Sequence, residues 1–196
     1  MKKISFPYGK TYLEHMFDEK ELAGVLTSSI EEYVSEMDGR ELVRKALEFP
    51  EKSAKLSELA KGKEKVVIIA SDHTRPVPSH ITMPILLEEI RKNNQDVKIT
   101  ILIATGMHRP TTHEELIAKY GEKIVNEEHI VVHSAYEDSD MTYKGILPSG
   151  GELWVNKLVN ECDLLISEGF IEPHFFAGFS GGRKSVLPGI ASKKTV

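Results

Sequence analysis

The stretch Val66-Val67-Ile68-Ile69-Ala70-Ser71-Asp72-His73-Thr74-Arg75-Pro76-Val77-Pro78 decides the fold. Its first five residues form a short, β-branched apolar run, which predicts a strand, and the polar Pro-rich turn that follows ends it. From Ser79 to Lys92, Ile81, Ile85, Leu86 and Ile90 recur at helical spacing, and Ile99 to Ala104 repeats the strand pattern. Thr111 and Glu114 read as a capping box opening a helix from Thr112 to Tyr120, with Gly121 placed to stop it. Ile130-Val131-Val132 is a third strand, and Asp163 to Ser167 a later one after a helix near 156–161. Strands and helices in alternation predict a doubly wound, mostly parallel α/β sheet with helices on both faces, Rossmann-like in type. Upstream, helices are expected within 39–48 and 54–60, and residues 1–16 read as strands joined at Pro7-Tyr8-Gly9-Lys10.

With 196 residues, 40% hydrophobic and 28% charged, the chain fits one α/β domain with a sizeable core. Its net charge of −5, with basic residues dispersed, argues against a nucleic-acid surface. The longest apolar runs fall far short of the ~20 residues of a membrane helix, and Met1-Lys2-Lys3 leads into no signal-peptide core. A cytoplasmic location away from membranes is expected. The single cysteine, Cys162, allows no internal disulfide or zinc cluster, and a small buried residue is its expected role.

In a doubly wound sheet, ligands gather beyond the carboxyl ends of the strands, and here three strands run directly into chemistry-bearing loops. Asp72 and Arg75 follow the first, an acceptor and a planar guanidinium suited to a phosphate or carboxylate, or equally to bracing their own turn. His73 is expected to pack locally. His108 projects from the second loop, where an imidazole can act as a general base, while His113 is expected to face solvent in the first turn of its helix. The third segment, Glu172 to Gly189, surrounds Lys184 with Gly178, Gly181 and Gly182, a density that lets backbone amides approach an anion. A P-loop needs glycine immediately before its lysine, and Arg183 stands there, which excludes that reading. His174 adds an imidazole that can bind metal or move protons, and lysine can form covalent adducts with carbonyl-type groups. The residues alone lead to a ligand site with histidine and lysine chemistry.

Three phrases, Asp72-His73-Thr74-Arg75-Pro76, Ala104-Thr105-Gly106-Met107-His108-Arg109-Pro110, and Glu172-Pro173-His174 followed by Gly178-Phe179-Ser180-Gly181-Gly182-Arg183-Lys184, together resemble the nickel-dependent lactate racemase family. The resemblance implies a racemase of lactate or a related 2-hydroxy acid, working by hydride transfer to a nickel pincer nucleotide, a pyridinium mononucleotide with two sulfur-bearing arms. On the matching positions Lys184 would hold that cofactor covalently, with Asp72, Arg75, Gly181 and Gly182 around it. His108 and His174 would be the paired acid/base residues, sharing the substrate with Arg75. Residues 1–196 would then be the single N-terminal domain of a larger enzyme. The resemblance implies a second α/β domain and a nickel-ligating histidine on a stretch beyond Val196; no metal ligand is assigned within this chain, and the isolated piece is expected to be inactive. Expected partners are the small 2-hydroxy acid and the cofactor-synthesis enzymes. The reading from a different class is a noncatalytic module whose strand-end loops hold an anionic metabolite or mononucleotide.

Overall fold

The computed structural model describes residues 1–26, 29–174 and 178–196, so the Phe175 to Ala177 part of the glycine-rich segment lies outside the described residues. Two compact units emerge, Met1–Met37 and Asp38–Val196. In the first, β1 (Lys2–Tyr8) and β2 (Thr11–Phe17) form an antiparallel hairpin in register from Lys2 opposite Phe17 to Tyr8 opposite Thr11. Its two-residue loop places Gly9 at φ +60°, a conformation that glycine adopts without a Cβ clash.

The second unit opens with α1 (Gly39–Glu48), capped by the reciprocal Asp38–Glu41 box, and the single turn α2 (Leu56–Leu59). There follow β3 (Lys65–Ser71), α3 (Ser79–Arg91), β4 (Lys98–Ala104), α4 (His113–Tyr120), α5 (Glu122–Glu127) and β5 (His129–Val132). A bulged hairpin of β6 (Met141–Ile146) and β7 (Glu152–Asn156) precedes α6 (Leu158–Glu161) and β8 (Leu164–Ser167). Last come the short antiparallel pair β9 (Glu172–His174) and β10 (Gly178–Ser180) and a 3-10 turn at Gly182–Ser185. The capping box expected at Thr111 and Glu114 stands one residue later: the Thr112 side chain accepts from Glu115 N–H, and Glu115 accepts from Thr112 N–H. Thr111 is instead buried, its hydroxyl turned to His73.

The central sheet is four-stranded and fully parallel, in the order β5-β4-β3-β8. The chain builds outward from β3 to β5 and then returns to place β8 on the other side of β3, so the strand order reverses between β3 and β8. Such a reversal opens a crevice at the carboxyl ends of the strands. Val66 to Ala70 are all buried, as a strand covered on both faces requires. On one face Val66, Ile68, Ala70, Ile99, Ile101 and Ile103 pack with residues of α2 to α5, including Met83, Leu87, Ile90 and Leu116. Each fully buried Val, Ile, Leu or Met side chain among these contributes ~1.5–3 kcal/mol of hydrophobic stabilisation.

The opposite face is covered differently from a full helical layer. Val67, Ile69 and Leu102 meet Leu158, Val159 and Cys162 of the α6 region, together with Val186 and Ile190. The segment after Lys184 therefore serves as a wall of the core, which fixes the lysine's backbone to the sheet. Among the described residues no helix is long and apolar enough to cross a membrane.

Candidate functional site

The carboxyl ends of β3, β4 and β8 surround a cavity of about 190 Å³ whose lining includes Asp72, Arg75, His108, Ser180, Gly181 and Lys184. Asp72, the first residue after β3, is 1% exposed. Its Oδ1 accepts from the Thr74 backbone N–H at 3.1 Å and from the Thr74 hydroxyl at 2.6 Å, and its Oδ2 lies 2.6 Å from His108 Nδ1. Burial works to raise the Asp72 carboxyl, but the bonds from Thr74 and His108 outweigh it and hold the group below the usual carboxylate range. An ionised Asp72 is acceptor-only, so His108 donates from Nδ1 and its Nε2 carries the lone pair. That arrangement is an oriented imidazole base.

Arg75 borders the cavity half-buried, and among the described residues no carboxylate lies within 4 Å of its guanidinium. The alternative in which Asp72 and Arg75 brace each other is therefore not the arrangement adopted, because Thr74 and His108 occupy both oxygens of Asp72. His73 packs locally as expected, with Nδ1 3.0 Å from the Thr111 hydroxyl, and His113 is exposed. His174 stands half-buried on β9, and neither it nor Gly182 lines the cavity. The structure thus brings together Asp72, Arg75, His108, Gly181 and Lys184 out of the residues selected from the sequence.

The backbone explains how Lys184 reaches the cavity. Lys184 N–H donates to Gly181 O at 3.1 Å, and Gly189 N–H donates to Lys184 O at 3.1 Å. Gly106, at the end of β4, donates to Gly189 O at 2.9 Å and so ties the His108 loop to the lysine segment. A Cβ at Gly181 (φ +93°) would stand 2.4 Å from Phe170 O, and one at Gly189 2.2 Å from Ser185 O, distances that force a backbone shift. Gly189→Ala is accordingly expected to destabilise the protein by ~2 kcal/mol or more, whereas Gly151→Ala, with only Ser149 Oγ at 3.8 Å, leaves the denaturation midpoint nearly unchanged. Equal midpoints for the two variants in urea unfolding would show that the lysine turn is not held this tightly.

Several contributors escaped the sequence reading. His133, just beyond β5, is 1% exposed, and burial lowers its pKa, so it is held as the neutral ring. Nε2 donates to Ala191 O at 3.1 Å and Nδ1 accepts from Asn156 Nδ2 at 3.3 Å, which pins the segment after Lys184. Glu168, just beyond β8 and also buried, accepts from the hydroxyls of Ser79 and Thr82 and fastens β8 to the first turn of α3; burial pushes its carboxyl up. The Ser180 hydroxyl is buried with no hydrogen-bond partner among the described residues. His133 and Glu168 both follow strand ends, the rule that selected His108: Glu168 opens the segment Glu168 to Gly189 that the rule singled out after the last strand, though no role was read for it, and applying the rule to β5 as well would have found His133.

Residues 8–196 match the family model described as the lactate racemase N-terminal domain. The chain belongs to that family. Over all 196 residues it is 57% identical to the lactate racemase of Lactiplantibacillus plantarum and 53% identical to that of Thermoanaerobacterium thermosaccharolyticum, spanning 46% of each of those proteins. The structure of the lactate racemase apoprotein from T. thermosaccharolyticum aligns with a TM-score of 0.88 over 97% of this chain and 44% of that one, at 53% identity. A crystal structure of a Thermotoga maritima protein aligns at 0.65 over 79% of this chain and 39% of that one, at 25% identity. The chain spans about half the length of the curated relatives it matches, so family membership covers the half that carries the Asp72–His108 pair and Lys184.

Proposed function

We propose that this chain is the Lys184-bearing part of a racemase acting on lactate or a related 2-hydroxy acid, with a nickel pincer nucleotide attached at Lys184. The observation that carries the reading is the convergence of Lys184, Arg75 and the oriented Asp72–His108 pair on one cavity at the carboxyl ends of the strands. The residues present fit such a group: Ser180 lines the cavity with a buried hydroxyl that has no partner among the described residues, and Gly181, packed so closely on Phe170 O that no Cβ fits, turns the backbone at the cavity wall three residues before Lys184. Lys184 would hold the group, with Ser180 and Gly181 against it. When bound, it supplies a hydride acceptor, so the hydrogen on the hydroxyl-bearing carbon need not be acidic.

The chain's own residues account for the rest. Arg75, with no carboxylate partner among the described residues, is suited to hold the substrate carboxylate through its planar fork. His108 Nε2 takes the hydroxyl proton of one enantiomer, the imidazolium so formed is stabilised by Asp72, and the same nitrogen returns the proton when that enantiomer is re-formed from the carbonyl compound. His174 on β9 is the second acid/base residue in this reading, serving the opposite enantiomer. Enzymes that build the cofactor are the expected partners.

Intact-mass measurement of full-length protein produced together with those enzymes tests the reading. A stable mass increase mapping to Lys184 is expected; unmodified protein that still binds a mononucleotide reversibly would favour a noncatalytic binding module instead.

A further inference from the structure

A second cavity, of about 310 Å³, lies on the other side of the β3–α3 loop and is bordered by His73, Arg75, His80, Glu115 and Lys119. Four of these five side chains carry nitrogen donors. The one carboxylate among them, Glu115, is already held in a two-pronged pair by Arg109, at 2.5 and 2.9 Å, and also accepts from Thr112 N–H. Arg109 pulls its carboxyl down to about 2, so it stays ionised and matched to that guanidinium.

The unmatched charge belongs to Lys119. Its ammonium donates to Arg75 O at 2.8 Å and to Val77 O at 3.5 Å, which leaves one of its three N–H groups unassigned. Among the described residues no carboxylate stands within 4 Å of it; Glu168 and Asp72 act only over longer range, and burial lowers its pKa. A half-buried cation without a close counter-ion carries a desolvation cost that a bound anion offsets. Arg75 adds a second cation without a carboxylate partner, and His73 is held through Nδ1, 3.0 Å from the Thr111 hydroxyl and 3.7 Å from Glu115 Oε2, with Nε2 as its open position.

We infer that this cavity is a binding site for a small oxyanion of the phosphate class, held by Lys119, Arg75, His73 and His80. It is separate from the Lys184 cavity, but Arg75 borders both. An anion that draws the guanidinium to one side withdraws it from the other, so occupancy of the second site opposes anion binding at the first. Only this coupling rests on the racemase reading; the site itself stands on the charges around the cavity.

Calorimetric titration of the full-length protein with inorganic phosphate, at ionic strength held constant with chloride, tests the site without any turnover. Saturable binding is expected. His80→Glu, at an exposed position, should weaken it at least roughly tenfold by placing a like charge against the anion, and His80→Ala should weaken it less. Lys184→Met should leave it unchanged. Absence of saturable binding overturns the inference, as does binding that survives His80→Glu or is lost in Lys184→Met, since either places the anion elsewhere. None of these outcomes bears on whether Lys184 carries a cofactor.

Discussion

In the full-length protein, Lys184→Ala is expected to abolish both covalent cofactor loading and racemisation, while Lys193→Ala leaves both nearly unchanged. The contrast is positional. Lys184 borders the cavity with its backbone tied at both ends, to Gly181 and Gly189. Lys193, nine residues on, is exposed, donates its N–H to Ala135 O and carries its ammonium 5.4 Å from the centre of the Tyr136 ring, away from the cavity lining. Intact mass reads loading and a polarimetric or coupled assay reads turnover. A covalently modified Lys184→Ala protein would refute the assignment.

Asp72→Asn should lower turnover ~10²- to 10⁴-fold, the range reported for losing or misorienting a general base, while sparing cofactor loading. The direction follows from Thr74. Its backbone N–H and hydroxyl both donate to Oδ1, so the asparagine carbonyl is held there and the amide NH₂ takes the place of Oδ2. That NH₂ then donates to His108 Nδ1, which moves the ring proton to Nε2 and removes the lone pair that faces the substrate. Side-chain size hardly changes, so folding is not the expected casualty. Loading measured by mass alongside turnover decides the matter: an Asp72→Asn protein that loads and turns over normally would reduce Asp72 to a brace for its own turn, and one that fails to load would make it part of the cofactor site.

The sequence carried the sheet well because β3, β4, β5 and β8 are short β-branched runs with little other use for such residues, and each was placed to within one or two positions. The same strands, read with the rule that ligands collect at carboxyl ends, brought Asp72, Arg75, His108 and Lys184 to one rim. Doublets defeated the local reading: Thr111-Thr112 followed by Glu114-Glu115 offers two equivalent capping registers, and the choice between them falls to tertiary packing, which buries Thr111 beside His73. The β6–β7 hairpin was missed because a bulge between Tyr143 and Gly145 breaks its alternation, and α5 because six residues are too few for a period to show. The Asp72–His108 bond joins residues 36 apart and depends on which way each side chain leaves its strand end, which no local pattern encodes. His174 was chosen for its motif; it stands on β9, whose partner β10 lends Ser180 to the cavity lining, but His174 itself is not among the lining residues.

The return of the chain to place β8 beside β3 also sets an order of synthesis. Asp72 and His108 leave the ribosome early, whereas Lys184 follows about 75 residues later, and the contacts that hold it, from Asn156 and His133 to Ile190 and Ala191, need the chain to about that point. At ~5–20 residues per second, roughly 4–15 s separate the emergence of His108 from that of Lys184. For the first three quarters or so of that interval β8 (Leu164–Ser167) is also missing, so β3 is an open edge with its apolar face uncovered. The half-made sheet is thus the stage at which the nascent chain is most open to mispairing, and one at which any enzyme that modifies the lysine has nothing yet to act on.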